Sequence, residues 1–369
     1  LLVSFSAESG LSFYTSKKIL NPSGTVVVAF LWSAGGAFIA YFLVKYFSGD
    51  ALQFDAGNHT LFCVLYITGL FLLTFFSALF SSKFHYIIPN AIVVVVNAVL
   101  CIFILSSGIK FEKFTELFFL SFFAQGILTA LGYILLVKPA TISLLSQSEF
   151  LLIIKYSAKA FIANVLFFLV YRIDYWFVNY FIADKNELGN YIQISRLGQM
   201  LLIIPSIIAS TVFSVTAEGS STQMPQRVQQ LSRIIFFVAV SCCVVLLLCG
   251  KWLFPFIFGS SFDNMYTPFL FLVPGIISIA TLYPFTAYYS GKNEIAKNIA
   301  GSLVALVIII LGDYVLIPKL GINGAAIISS IGYISYEVYI LYLFKKETGV
   351  SIADSFIIKK GDFNFLKKN

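Results

Sequence analysis

The sequence predicts an all-α, polytopic membrane protein with about ten complete transmembrane helices, and two observations support this fold class. Hydrophobic residues make up 59% of the 369 residues and charged residues only 11%, whereas about 25% of residues are charged in soluble domains. The apolar residues also occur in long runs, and a transmembrane helix needs about 20 of them. A single water-soluble core could not bury so much apolar surface.

Ten apolar segments of this kind follow one another with short connections. They cover residues 25–47, 61–80, 86–106, 117–137, 161–182, 185–213, 234–258, 266–290, 295–317 and 321–344. The run over residues 1–14 is too short to span a bilayer, so we expect it to be the second half of a helix. On this interpretation the natural protein extends upstream by about 40 to 60 residues.

These segments divide the chain into four predicted regions. Residues 1–137 form an N-terminal transmembrane lobe truncated at its start, residues 157–344 form a C-terminal lobe of six helices, and residues 345–369 form a basic cytoplasmic tail. The connection over residues 138–156 mixes leucine and phenylalanine with serine, glutamine, Glu149 and Lys155. This mixture is typical of an amphipathic linker helix at the membrane surface. A hydrated loop is the alternative.

The positive charges predict the orientation of the chain. Sixteen of the 24 lysines and arginines fall on the side that holds the C-terminus, and six fall on the opposite side. Because lysine and arginine are enriched in cytoplasmic loops, we expect a cytoplasmic C-terminus, with Ser81 and Ser221 inside and Ser48 and Asn186 outside. The net charge of +7 then reflects topology and contact with anionic membrane lipids, not nucleic-acid binding.

Two arginines stand out in the interior of predicted spans, where a charge is costly and normally faces protein or a wet cavity. Arg172 lies ten residues before the turn at Ile182, and Arg196 lies eleven residues after Lys185. At about 1.5 Å per residue, both lie roughly 15 Å deep on neighbouring antiparallel helices. The pair therefore predicts an anion site. The alternative is a purely structural charge network, for example between Asp174 and Arg196.

Four acidic residues also belong to predicted membrane segments: Glu8, Asp174, Asp313 and Glu337. Arg172 and Asp174 are two residues apart and cannot face each other on a helix, so each needs another partner. Glu337 lies among tyrosines and must be protonated, paired or hydrated. Asp313 lies about one turn before Pro318, so we expect a solvated acid near the outer surface.

Prolines mark the candidate hinges. Pro268, Pro274 and Pro284 fall within one predicted span, and Pro205 falls within another. Proline removes a helical hydrogen bond, and broken helices are tolerated in membranes where they line a cavity. A hinge used in alternating access and a static kink are both compatible with this pattern.

The sequence offers little material for a metal or catalytic centre. The five cysteines lie in apolar runs, and the two histidines lie in predicted loops: Cys63, Cys101, Cys242, Cys243, Cys249, His59 and His85. None has the spacing of metal ligands or of a redox motif. We therefore expect no metal, no cofactor and no catalytic residues.

Several short motifs resemble those of the Wzx-type flippases of lipid-linked oligosaccharides, such as O-antigen units, in the multidrug/oligosaccharidyl-lipid/polysaccharide (MOP) exporter superfamily. They are YRID at 171–174, LGNY at 188–191, IP at 204–205, LF at 253–254, FGSSF at 258–262 and LIPKLGINGAA at 316–326. Their order and spacing are more specific than any one of them. The resemblance implies two six-helix lobes around a central cavity, of which this chain lacks the first helix and part of the second.

The resemblance also implies a function, namely the flipping of undecaprenyl-diphosphate-linked oligosaccharide across the bacterial cytoplasmic membrane. Arg172 and Arg196 would then bind the pyrophosphate, and Asp174 would hold one arginine in place. Other polysaccharide-assembly membrane proteins are expected as partners. Two alternatives stay open: a cation-coupled multidrug exporter of the same superfamily, which would favour buried acids over arginines, and a membrane-embedded polysaccharide polymerase or glycosyltransferase. We expect a transporter and not an enzyme, because the sequence has no sizeable outer loop for catalytic residues.

Overall fold

The computed structural model describes residues 3–47, 56–107, 111–138, 144–219, 223–357, 359 and 362. The regular structure of these residues is helical. The α helices, in chain order, are α1 (Ala7–Ser16), α2 (Pro22–Phe47), α3 (Ala56–Ser82), α4 (Ile87–Ser107), α5 (Phe111–Val137), α6 (Gln147–Val170), α7 (Ile173–Phe181), α8 (Lys185–Leu201), α9 (Ile203–Glu218), α10 (Met224–Phe258), α11 (Tyr266–Gly291), α12 (Ile295–Leu320) and α13 (Ile322–Thr348). Short 3₁₀ helices cover Ser260–Met265 and Ile352–Ser355.

The lengths of these helices confirm the predicted all-α membrane fold. Nine helical segments in the described ranges are long and apolar enough to cross a bilayer, and the bent pair α8–α9 makes a tenth. Two segments, Gln147–Phe181 and Met224–Phe258, have 35 residues each. At 1.5 Å per residue they reach about 52 Å, so they extend well beyond a hydrocarbon layer about 30 Å thick.

The first of two compact units covers Leu1–Phe161. Its closest helix contact joins α3 to α5. A Cβ atom on Gly69 would lie 2.4 Å from the carbonyl oxygen of Phe122, and one on Gly126 would lie 2.4 Å from that of Gly69. The two backbones therefore touch, as is usual where small residues face each other between membrane helices.

The boundary between the units differs from the predicted linker over residues 138–156. It falls between Phe161 and Ile162, inside helix α6, which begins at Gln147 and continues to Val170. Ile153 and Tyr156 are buried, and the Tyr156 ring stacks on Phe13 of α1 with centroids 4.3 Å apart. The end of the predicted linker is thus packed inside the helical unit. Residues 139–143 of that linker lie outside the described residues.

The second unit covers Ile162–Asn369 and contains both candidate arginines. Helix α13 packs against α11 and α12, and α11 also packs against α9 and α10. Small residues allow the close approach of α12 and α13: a Cβ on Gly324 would lie 2.6 Å from the carbonyl oxygen of Leu316, and one on Gly332 would lie 2.6 Å from the side chain of Ile309. These helices form the scaffold of the candidate site.

Candidate functional site

The candidate site contains a break in a long membrane span, between helices α6 and α7. Helix α6 ends at Val170 and α7 begins at Ile173, and between them Arg172 has φ −132° and ψ −16°. The amide of Arg172 donates to the carbonyl of Leu169 at 3.0 Å, an i to i+3 bond that tightens the last turn. The predicted continuous helix over residues 161–182 is therefore two helices, with Arg172 at their junction.

Arg172 is held by two neighbours. Its Nη2 donates to Oε1 of Gln199 at 3.2 Å, and its guanidinium carbon lies 5.3 Å from the ring centroid of Tyr175. Gln199 follows Arg196 by three residues on α8, which is about 4.5 Å along the helix axis. Gln199, the partner of Arg172, thus lies about one helical turn from Arg196 on the same helix, and the common depth of the two arginines stays a prediction.

Arg196 has different surroundings. It lies on α8 and is exposed. No hydrogen bond or ion pair to its side chain occurs within the part of the chain that the structure describes. Its guanidinium group is thus available to a ligand, whereas that of Arg172 is already oriented by Gln199.

Asp174 occupies a buried cluster of hydroxyl groups. It is 1% exposed, and it accepts hydrogen bonds from the hydroxyl groups of Tyr191 and Ser329, the latter at 3.0 Å. The amide of Tyr175 donates to its other oxygen at 2.9 Å. The alternative in which Asp174 pairs with Arg196 is therefore wrong, since hydroxyl groups satisfy the carboxylate.

Asp313 is a second buried acid, and the expectation that it is a solvated acid near the outer surface is wrong. It is 0% exposed, and neither carboxylate oxygen has a hydrogen-bond partner among the described residues. Helix α12, which carries Asp313, packs against α7, which carries Asp174. Packing of α7 against α12, invisible in the local sequence, buries the residue.

The other two predicted acids, Glu337 and Glu8, have surroundings different from those of Asp174 and Asp313. Glu337 is 7% exposed and accepts a hydrogen bond from the hydroxyl of Thr281. Glu8 belongs to the first unit, where it lies in the first turn of α1, and its Oε2 is buried and accepts no hydrogen bond from the described part of the chain. The four predicted acids therefore have separate surroundings, except for Asp174 and Asp313.

The candidate hinges also differ from one another. Pro205 lies in the first turn of α9, next to the break where α8 and α9 meet at a bend of 45°. Pro268, Pro274 and Pro284 all lie within α11, which runs from Tyr266 to Gly291 without a break. Among the four candidates, Pro205 is therefore the one that lies beside a break between two described helices.

The polar partners of Arg172 and Asp174 were not predicted from the sequence. Tyr191, Ser195 and Gln199 recur every fourth residue of α8, which places them on one face. Tyr191 contacts Asp174, Gln199 contacts Arg172, and Gln199 also donates to Ser195 at 3.5 Å. This spacing of polar residues in a membrane helix was a usable signal for the site.

Residues 118–267 match the family model described as polysaccharide biosynthesis protein. This range contains Arg172, Asp174 and Arg196. No curated protein matches the chain by sequence.

Solved transporters share the fold over nearly the whole chain. A mutant of the Vibrio cholerae MATE transporter VcmN is 13% identical with a TM-score of 0.77, and the match covers 95% of this chain and 87% of that one. The MATE transporter ClbM in complex with Rb⁺ is 12% identical, with a TM-score of 0.72 over 96% and 86% of the two chains.

A MOP-superfamily transporter from Pyrococcus furiosus has the same degree of similarity. It is 13% identical with a TM-score of 0.72, and the match covers 96% of this chain and 85% of that one. For that protein, the reverse polarity of its binding pocket suggests a different function. The resemblance to the MOP superfamily is therefore confirmed at the level of the fold, and this chain is a multi-pass membrane protein with the fold of the MOP-superfamily transporters.

Proposed function

We propose that this protein flips undecaprenyl-diphosphate-linked oligosaccharide from the cytoplasmic to the outer leaflet during the biosynthesis of a surface polysaccharide. The observation that carries this proposal is the exposed guanidinium of Arg196, which has no partner among the described residues and lies one helical turn from Gln199, the residue that binds Arg172. Both arginines lie in the range that matches the polysaccharide biosynthesis family. An isolated cation in a membrane helix is costly unless it has a functional partner.

A pyrophosphate group is a suitable partner for these arginines. Guanidinium groups bind phosphate oxygens through two parallel N–H donors, and such charge-assisted bonds are stronger than neutral ones. Arg172 uses one donor for Gln199, and a guanidinium has five donors. Arg172 can therefore stay fixed by Gln199 while it binds an anion, with Arg196 as the second contact.

The positive charges of the loops support the direction of this transport. Their excess on the side of the C-terminus supports a bacterial cytoplasmic membrane protein with a cytoplasmic C-terminus. The lipid-linked sugar would then enter from the cytoplasmic leaflet. Membrane lipids surround the transporter, and other polysaccharide-assembly membrane proteins are proposed partners that supply or receive this substrate.

A cation-coupled multidrug exporter is the second candidate, and one observation favours it. Asp174 and Asp313 are both buried, and within the described residues neither pairs with a basic side chain. Buried acids without a basic partner in membrane helices are typical of ion and proton pathways. The similar MATE structures support this candidate. A polymerase or glycosyltransferase receives no support from the similar structures, which are transporters.

Transport in reconstituted vesicles tests the two candidates against each other. One set of vesicles contains fluorescent undecaprenyl-diphosphate-linked oligosaccharide, and an impermeant glycosidase reports the sugar that reaches the opposite leaflet. A second set reports uptake of ethidium driven by a Na⁺ or proton gradient. We expect the protein to accelerate sugar flipping above protein-free vesicles and to leave ethidium uptake unchanged. Ethidium transport without flipping would contradict the proposal.

A further inference from the structure

An apolar groove in the second unit lies between the bent pair α8–α9 and helix α10. Its cavity has a volume of about 160 Å³. Its two walls are formed by Met200, Ile204 and Ile208 on one side and Ile234, Val238 and Cys242 on the other. The remaining lining residues are also apolar, so the groove offers a surface for hydrocarbon and no polar partner for a sugar.

The bend between α8 and α9 explains why the groove exists. The two helices meet at 45° around Leu202, and Pro205, which lines the groove, lacks the N–H that would continue the helical hydrogen bonds of α8. A straight helix could pack its side chains along α10, whereas a bent one leaves a gap beside the bend. The groove therefore results from the bend in the backbone between α8 and α9.

The groove is open to the surroundings along its length. Met200 and Ile204 are each 58% exposed, and Val238 is 38% exposed. From Met200 to Ile208 and from Ile234 to Cys242, each wall covers nine residues, which span about 12 Å along a helix. An apolar molecule could therefore enter from the side.

A positive charge marks one end of this groove. Arg196 precedes Met200 by four residues on α8, so the two side chains are neighbours on the same helix face. Arg196 is exposed and has no partner among the described residues. The surface thus combines an available cation with an adjoining apolar channel, which is complementary to a molecule with an anionic head and a hydrocarbon chain.

We infer that this groove binds the polyprenyl chain of a lipid-linked phosphate, with the first phosphate at Arg196. This inference rests on the proposed function and adds to it where the lipid part of the substrate lies. A polyprenyl phosphate has a single chain, which fits a groove between two helices, whereas a membrane phospholipid has two. The chain segment nearest the phosphate occupies the groove, and the rest of the chain lies in the bilayer.

Photochemical cross-linking tests this assignment without disturbing the core. A benzophenone amino acid replaces Val238 in the groove, and a matched variant carries it at Leu248 on the same helix, which is 76% exposed and does not line the groove. Each protein is placed in phosphatidylethanolamine vesicles that contain undecaprenyl phosphate. Intact mass then gives the ratio of polyprenyl to phospholipid adducts. We expect this ratio to be higher at position 238 than at position 248 by about fivefold or more.

The head-group contact is tested in the same system. Arg196→Ala in the Val238 variant should lower the polyprenyl ratio about tenfold, because it removes a charge-assisted contact, and Arg196→Lys should retain part of it. Equal ratios at the two positions, or an enrichment of phospholipid at 238, would overturn the inference. Specific cross-linking without sugar flipping would instead contradict the proposed function, and flipping without specific cross-linking would contradict only the groove.

Discussion

At the scale of single residues, Arg172 and Arg196 both lie in the second unit but differ in their surroundings. Arg172 is half-buried, bonded to Gln199 and placed beside the Tyr175 ring. Arg196 is exposed and unpaired within the described residues. Loss of Arg196 therefore removes no hydrogen bond or ion pair among the described residues, whereas loss of Arg172 removes its bond to Gln199 and its contact with the Tyr175 ring. A functional role for Arg196 is thus separable from a structural one.

Asp174 allows a residue-scale prediction about stability. Asp174→Ala leaves the hydroxyl groups of Tyr191 and Ser329 without their acceptor, which should lower the free energy of unfolding by about 1–3 kcal/mol. Asp174→Asn keeps an acceptor oxygen, so its effect should be smaller. Thermal unfolding of the purified protein in detergent measures both changes.

The control for this prediction is Asp263→Ala. Asp263 is an exposed acid in the 3₁₀ helix Ser260–Met265, and its replacement should change stability by no more than about 0.5 kcal/mol. A melting temperature of Asp174→Ala equal to that of the wild type would show that the hydroxyl cluster contributes nothing to folding.

The sequence showed which charged residues lie in membrane helices, but it did not show which residues contact them. The arginines were identified because a charge interrupts a long apolar run, which is a local property. The burial of Asp313 depends on α12 packing against α7, and the acceptor role of Asp174 depends on Ser329, which lies 155 residues away. Such contacts follow from the tertiary arrangement, so spacing along one helix could not supply them.

At the scale of helices, the bend between α8 and α9 is the feature on which the groove depends. Pro205→Ala restores a backbone donor and allows the pair to straighten, so we predict a several-fold lower flipping rate with an unchanged yield of folded protein. Pro268→Ala is the matched control, because Pro268 occupies the same third position of its helix but α11 is unbroken. Equal effects of the two variants would show that the bend is not needed.

The C-terminal segment is fixed to the start of α10 by an ion pair. Arg233 donates from Nε and Nη2 to the two oxygens of Asp362 at 2.8 and 2.5 Å, and both residues are buried. Gln230 donates to the carbonyl of Asp362 at 2.9 Å. The hydrogen bonds from Arg233 lower the pKa of the Asp362 carboxyl below its ordinary value.

This lowered pKa predicts the pH dependence of the segment. The ion pair between Arg233 and Asp362 stabilises the docked segment fully above the unfolded pKa of Asp, about 3.9. This stabilisation is lost as the pH falls through the lower pKa of Asp362 in the folded protein. Pepsin cleavage of the segment, measured relative to cleavage of an unfolded substrate at the same pH, should therefore be faster at pH 3 than at pH 5. At neutral pH, Asp362→Asn should accelerate trypsin cleavage at Lys359 about tenfold or more, because it disrupts a buried pair.

A second acid in the same segment provides the control. Asp354 pairs with Lys359 at 2.9 Å, but these side chains are 36% and 52% exposed, and exposed ion pairs contribute little. Asp354→Asn should thus leave the cleavage rate nearly unchanged. Rapid cleavage of the wild type at neutral pH would contradict the docking of this segment.

Helix ends were only partly predictable from the sequence. Asp184 and Glu187 have the spacing of a capping box, in which the first residue caps the helix and the second reaches back to the helix start. Asp184 does accept from the amide of Asn186 at 2.8 Å, but Glu187 accepts from Asn264 at 2.7 Å instead. A helix cap depends on neighbouring residues, so it can be predicted from the sequence. The distant residue that binds Glu187 cannot be predicted in this way.

At the scale of the whole molecule, the fold class followed from composition and from the lengths of the apolar runs. Both properties are set by the bilayer, which requires long apolar helices whatever their tertiary contacts. The boundary between the two units, which lies inside α6, could not be predicted from composition. The polar residues near Glu149 resemble a surface linker, whereas Ile153 and Tyr156 on the same helix are buried. Local composition could not reveal that this stretch packs against α1.

The orientation of the molecule gives a further prediction. In a background without the five cysteines, Asn186→Cys should react with an impermeant thiol reagent from outside intact cells. Ser81→Cys should react only after permeabilisation, because its loop belongs to the positively charged side. The other two predicted positions, Ser48 and Ser221, lie outside the described residues. Labelling of Ser81→Cys in intact cells would reverse the topology.

The most direct test of the anion site is the flipping rate of the arginine variants per amount of folded protein. Arg196→Ala should fold in normal yield, and its rate of sugar flipping should fall about tenfold or more, because one charge-assisted contact with the pyrophosphate is lost. Arg172→Ala should be equally slow, and Lys at either position should leave partial activity. Wild-type flipping rates in both Ala variants, after correction for folded yield, would contradict the proposed pyrophosphate site.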